Sequence, residues 1–178
     1  MHPRTLLLLL LLPAMGVCSE QKASKMPWPK IVQEFPEGEE AVFSSGPYEI
    51  KHSIPQDPDI QSAGGSGGPI VEITIRERKG KWIAHLLTQS VGERLLEAYH
   101  GRPQIEVWSR GGGGSWSREL YRYIKGEYRS TRIDDFEHVP SRGNQNAPTA
   151  TLPNAFHGKA PPEGDPRLYY VETRTPTQ

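Results

Sequence analysis

Apolar and polar residues alternate with a period of two through the middle of the chain. Val71, Ile73 and Ile75 alternate with Glu72, Thr74 and Arg76, which predicts a strand buried on one face. Trp82 to Thr88 carries a second strand pattern, and Lys79-Gly80 between them offers the backbone freedom of a hairpin turn. A two-residue loop there pairs Ile75 with Ala84, Ile73 with Leu86 and Val71 with Thr88. That register puts the apolar side chains of both strands on one face, as a correct pairing must.

The pattern recurs downstream. Ile105 and Val107 mark a strand over Gln104 to Arg110, while Trp116 to Ile124 and Glu127 to Ile133 flank Lys125-Gly126. The same loop rule sets Tyr123 opposite Tyr128 and Glu119 opposite Arg132, both favourable pairs. It also sets Arg122 opposite Arg129, a like-charge pair that argues against the register. An earlier strand is expected at Tyr48 to Ser53. Glu93 to His100 fits two patterns: Leu95 and Tyr99 lie four apart on a helix that Gly101 and Pro103 would end, and the segment equally reads as a strand between turns.

These elements predict a mainly β fold. The expected form is an antiparallel meander, arranged as a single blade-like sheet or a small sandwich, with at most one short helix near 92–100. The domain is expected over 41–139, where ten of the fifteen aromatic residues lie. About 100 residues can bury roughly two-thirds of their unfolded surface, enough for one core. Residues 19–40 read as a linker, broken by Pro27-Trp28-Pro29, with a possible short strand at Ile31-Val32. Residues 140–178 read as an extended tail because seven of these 39 are proline. Arg167 to Glu172 is the exception, a candidate edge strand.

Ahead of the linker, residues 1–18 have the layout of a secretory signal peptide. Arg4 supplies a positive start, Leu6 to Leu12 an unbroken apolar run, and Ala14 and Gly16 a small-residue exit. Seven leucines fall far short of the roughly 20 residues that span a bilayer. Cys18 is the single cysteine, so the mature chain can form no internal disulfide. Its place just after the apolar run also allows a lipid-bearing N-terminus, which would tether the protein to an envelope membrane. Val17 stands where such motifs carry a small residue. Net charge is zero, and loss of Arg4 leaves about −1, so no global field draws the chain to nucleic acid.

Gly101-Arg-Pro-Gln-Ile-Glu-Val-Trp108, the glycine run Gly111 to Gly114, then Leu120-Tyr-Arg-Tyr-Ile-Lys-Gly-Glu-Tyr128 resemble exported proteins with FG-GAP or VCBS repeats. The resemblance covers about residues 55–135 and implies four-stranded blade-like sheets. It also implies an Asp-rich calcium loop, for which only Asp57 and Asp59 are candidates here. A calcium site takes six or more oxygens, so a flexible glycine-rich loop is the favoured reading.

Catalytic patterns are sparse. Gly64-Gly-Ser66-Gly-Gly68 matches the nucleophile-elbow spacing, with His52, His85, His100 and His138 as possible bases. In so glycine-rich a run the match is nearly automatic, and no strand clearly precedes it. Gly111 to Gly114 lacks the following helix that a phosphate cradle needs. Asp134-Asp135-Phe-Glu137-His138 reads as a solvated acidic turn. No cofactor or metal is expected.

One concentration stands out. Residues 102–132 hold Arg102, Arg110, Arg118, Arg122, Lys125, Arg129 and Arg132 against three acidic residues, a local charge of +4. Trp108, Trp116, Tyr121, Tyr123 and Tyr128 are interleaved with them. Aromatic faces beside arginines serve binding, although core aromatics with a solvated opposite face give the same pattern. The expected binding set is therefore Trp108, Arg110, Trp116, Arg118, Tyr121, Arg122, Tyr123 and Tyr128. The expected protein is an exported, non-catalytic binding or structural module, with a protein or an envelope polysaccharide as partner. The alternatives are a serine hydrolase using Ser66 and a lipid-tethered inhibitor or structural component.

Overall fold

The computed structural model describes residues 27–36, 38, 40–62, 67–111, 114–137, 149–151 and 167–176. The expected leader with Cys18, the serine Ser66, His138 and most of the proline-rich tail lie outside these residues. The described chain is built almost wholly of antiparallel strands, as the alternation requires. Its one helix, α1, is a single turn over Pro58–Ser62.

The strands make two sheets. The smaller is a plain meander of β2 (Glu40–Ser45), β3 (Tyr48–Ser53), β4 (Ile70–Glu77) and β5 (Ile83–Gln89), hydrogen-bonded in that order. Ile75 lies opposite Ala84, Ile73 opposite Leu86 and Val71 opposite Thr88, the register that a two-residue loop at Lys79-Gly80 dictates. Ile50, Ile73, Ile75, Ala84 and Leu86 all turn to the buried face. Alternating polar residues go to solvent, where Arg76 pairs with Glu49 and His85 with Glu72.

The larger sheet has the order β1-β6-β7-β8-β9-β11-β10. Its strands are β1 (Ile31–Glu34), β6 (Gly92–Tyr99), β7 (Arg102–Arg110), β8 (Ser115–Ile124), β9 (Glu127–Glu137), β10 (Thr149–Thr151) and β11 (Arg167–Arg174). The two sheets share a core in which Leu95, Ile105, Val107 and Tyr128 of the large sheet meet Ile50, Ile73 and Leu86 of the small one. That packing makes the molecule a sandwich.

Residues 92–99 form strand, not helix, and His100 begins the turn that follows. The ambiguity came from Leu95 and Leu96, which sit side by side in sequence and are both buried. β6 lies between β1 and β7 and is covered on both faces along most of its length, so it cannot show a period of two. The described part of 19–40 is no spacer, because β1 pairs with β6 and Phe35 enters the shared core. The candidate edge strand of the tail is longer than expected. β11 is inserted between β9 and β10, and β10 takes the edge.

The β8–β9 hairpin turns at Lys125 and Gly126, both with positive φ, the conformation of a primed two-residue turn. Tyr123 faces Tyr128 and Arg122 faces Arg129, as a two-residue loop requires. Beyond that the register shifts. Tyr121 pairs with Ser130 and Leu120 with Arg132, leaving Thr131 as a bulge whose hydroxyl donates to the Leu120 carbonyl at 3.0 Å. Glu119 therefore faces Ile133, not the Arg132 that an unbroken ladder predicts. The bulge also carries Asp134 across the strand to lie opposite Arg118. A one-residue slip exchanges the two faces of a strand, so without the bulge Asp134 would face the other way.

Candidate functional site

The eight residues expected to bind a partner do not form one surface. The pairing divides them between the two faces of the large sheet. Tyr121, Tyr123 and Tyr128 point toward the small sheet. The Tyr121 hydroxyl reaches Thr88 of β5 at 3.0 Å. Burial pushes its pKa up to about 12, with Glu119 adding to the effect. Tyr128 donates to the Pro103 carbonyl at 2.8 Å, and burial drives its pKa up further. Tyr123 stands edge-on to both Trp82 and Tyr128.

Trp108, Arg110, Trp116, Arg118 and Arg122 point the other way. There Trp108 and Trp116 join Val91, Phe136 and Leu168 in a second core. Both indoles are almost fully buried, so neither offers a ring face to a ligand. Arg110 lies over the Trp116 ring at 5.7 Å. Arg122 donates to Gln104 at 2.7 Å and lies over Tyr99 at 4.3 Å.

Beside this second core is a charged network that the sequence concealed. Glu106 is 1% exposed and accepts from the Trp108 indole at 2.6 Å, the Trp28 indole at 2.5 Å and Arg94 at 3.0 Å. Arg94 also donates to Glu34 of β1 at 2.7 Å. Asp134, equally buried, accepts from Arg118 at 2.9 Å, from Arg132 at 2.7 Å and from Thr173 of β11 at 2.7 Å. The Arg118 guanidinium lies 3.7 Å from the centre of the Trp28 ring, and Arg132 lies 5.2 Å from it. Burial lowers the pKa of Arg118, and Glu106 and Asp134 pull it back up.

Buried charges survive only when paired and hydrogen-bonded, and these are. Trp28 carries no strand or helix pattern, because it lies between two prolines in a polar stretch. Its signal was a lone tryptophan where a linker has no use for one. The acidic run at 134–137 is not a solvated turn. Asp134, Asp135 and Glu137 belong to β9, and only the bulge shows which of them is buried. Asp135 faces outward, where Arg174 and Ser117 hydrogen-bond to it. Burial works to raise its pKa, but those bonds outweigh it and hold the carboxyl below its ordinary range.

Other candidates find structural roles. Asp57 accepts the backbone N–H of Asp59 at 2.9 Å, a cap on α1. His52 sits in the shared core with its ring 3.6 Å from Glu93 across the sheets, fully enclosed. His85 pairs with Glu72 on the solvent face, and His100 makes the β6–β7 turn with positive φ. Gly68, the last residue of the elbow-like run, has φ of 119°, and an added Cβ would meet the Ser90 carbonyl at 2.4 Å. That approach accounts for one glycine of the run without catalysis.

With Arg118 and Arg132 committed inside, the basic residues of 102–132 that remain exposed are Lys125 and Arg129 at the β8–β9 turn, while Arg78, Lys79 and Lys81 are exposed at the β4–β5 turn. Lys125 is exposed and has no ion pair among the described residues. Arg129 is exposed and shares its charge with Glu127 alone among them, at 2.6 Å. A groove of about 610 Å³ opens beside them, walled by Ile124, Thr131, Thr175 and Pro176. Among family models, curated proteins and solved structures, none matches this chain.

Proposed function

We propose that the protein is an exported, non-catalytic binding module that engages an acidic protein partner at the rim formed by the β8–β9 turn. The groove carries this reading, because a cavity of about 610 Å³ lies against exposed Lys125 and against Arg129, whose one ion pair among the described residues is with Glu127 on its own strand. Most other arginines of the basic stretch are tied to Asp134, Gln104 or an aromatic ring, so they serve the scaffold. Export rests on the charged start, leucine run and small-residue exit of residues 1–18. A tether through Cys18 remains the alternative form of the same proposal. The FG-GAP likeness adds a blade-sized meander of four strands to the reading.

A binding titration tests it. The purified chain is expected to bind poly-L-glutamate with an affinity that falls as salt rises, and to ignore poly-L-lysine. Lys125→Glu with Arg129→Glu is expected to abolish the interaction. A clear preference for alginate over polyglutamate would replace the protein partner with an acidic glycan. No binding of either polymer would refute the reading. Intact mass of the exported form decides the tether, since a lipid on Cys18 adds a distinct mass.

A further inference from the structure

The groove beside the β8–β9 turn lies where the sheet stops short. β9 runs from Glu127 to Glu137 and pairs with β8 along its whole length. On its other side β11 pairs only with Ile133 to Glu137. Along Glu127–Arg132 no strand lies on that side among the described residues. The path β11 would follow is closed by Pro176, which has no N–H to give to a ladder. Thr175 and Pro176 form one wall of the groove, and Arg129, Ser130 and Thr131 form the other. The cavity therefore lies along a stretch of β9 edge that no strand covers among the described residues.

An open sheet edge takes an extended peptide, because its unpaired backbone groups already have strand geometry. The four residues ahead of the Thr131 bulge, Glu127 to Ser130, span about 13 Å at roughly 3.3 Å per residue, and Arg132 lies beyond it. The rim sets the chemistry of the guest. Lys125 and Arg129 stand at the turn end of this edge, and Arg122 lies directly across from Arg129, so that the Glu127 carboxylate on Arg129 leaves this rim with a net positive charge. Like charges opposite one another destabilise a strand pair, and an acidic side chain laid beside them relieves the repulsion. Ile124 and Pro176 add apolar wall.

We infer that an acidic, extended segment of a partner protein adds as a strand to the edge of β9 at Glu127–Arg132, which no strand pairs among the described residues, beyond the end of β11. This rests on the binding reading above and specifies its partner and geometry. The backbone ladder supplies affinity, and Lys125 and Arg129 select for glutamate or aspartate at alternate positions.

The probe is an N-acetylated octapeptide alternating Glu and Val, compared with the same peptide N-methylated at alternate amides and with a Lys-Val version. The expected result is binding of the Glu-Val peptide with at least tenfold slower hydrogen exchange at β9 amides within 127–132. N-methylation is expected to weaken it at least tenfold, and the Lys-Val peptide is expected not to bind. Equal binding of the methylated peptide, or binding without protection of those amides, overturns strand addition while leaving an acid-binding rim. Failure of the octapeptide where polyglutamate binds overturns it also. Failure of both refutes the inference together with the reading on which it rests.

Discussion

The Trp28 indole donates its N–H to Glu106 at 2.5 Å, joining a residue ahead of the first strand to one 78 positions later in the middle of the sheet. The bond fixes where the N-terminal segment lies. It places the Trp28 ring under Arg118 and Arg132, so one side chain satisfies a buried carboxylate and faces two cations.

Removing that N–H while keeping a ring tests the bond. Trp28→Phe leaves Glu106 short of one donor in a site that water hardly reaches. It is expected to cost about 1–3 kcal/mol. A lower urea midpoint with an unchanged slope checks it.

Asp134 is the second anchor. Asp134→Ala leaves Arg118 and Arg132 facing each other beside Trp28 without their carboxylate, and deprives Thr173 of β11 of its acceptor. A loss of about 3–5 kcal/mol is expected, because removing one partner of a largely buried ion pair costs more than the pair contributes. Asp135→Ala, one residue away on the outer face, is expected to cost under about 1 kcal/mol. Thermal denaturation of the two variants side by side measures the contrast.

How much of this was legible depended on whether a signal was local. The β4–β5 register followed from Ile73, Ile75 and Leu86, because alternation and a two-residue loop leave one solution. The Thr131 bulge had no such signal. A single extra residue in β9 decides whether Asp134 faces Arg118, and nothing in the order Ser130-Thr131-Arg132 announces it. Arg122 opposite Arg129 looked like an error of register, yet the structure keeps the pair and gives Arg122 to Gln104 and Tyr99. The tryptophans illustrate a different limit. Trp108 shares its face with Glu106 and Arg110, and Trp116 shares its face with Arg118, so alternation alone cannot say that this face is buried. Trp28 belongs to neither pattern, since its partners are distant in sequence.

Two ionisations bear on stability against pH. Asp135 has a folded pKa below its ordinary value, so its bonds contribute above about pH 4 and are lost as pH falls further. Arg174→Ala is therefore expected to lower stability slightly at pH 7, by about 0.5 kcal/mol, and to make no difference near pH 2. Tyr121 has the opposite sense. Its pKa of about 12 lies above the free value, so its contribution is complete below pH 10 and disappears as pH rises through 12. Tyr121→Phe is expected to reduce the alkaline loss, read as unfolding followed across that range.

Gly68→Ala tests the reading of the glycine run as backbone geometry. The substitution places a Cβ against the Ser90 carbonyl and Val91 and imposes a strained φ. A loss of about 1–3 kcal/mol is expected. Gly126→Ala, at the open hairpin turn, is expected to cost about 1 kcal/mol, because only its φ is strained.

The separation of scaffold from binding rim is tested most directly by measuring polyglutamate affinity and urea stability together in two variants. Lys125→Glu with Arg129→Glu is predicted to keep the unfolding free energy from urea titration within about 0.5 kcal/mol of the parent while losing binding. Trp116→Phe is predicted to lower stability, with binding intact wherever the chain is folded. Loss of binding in folded Trp116→Phe, with binding retained in the charge-reversed rim, would contradict the account.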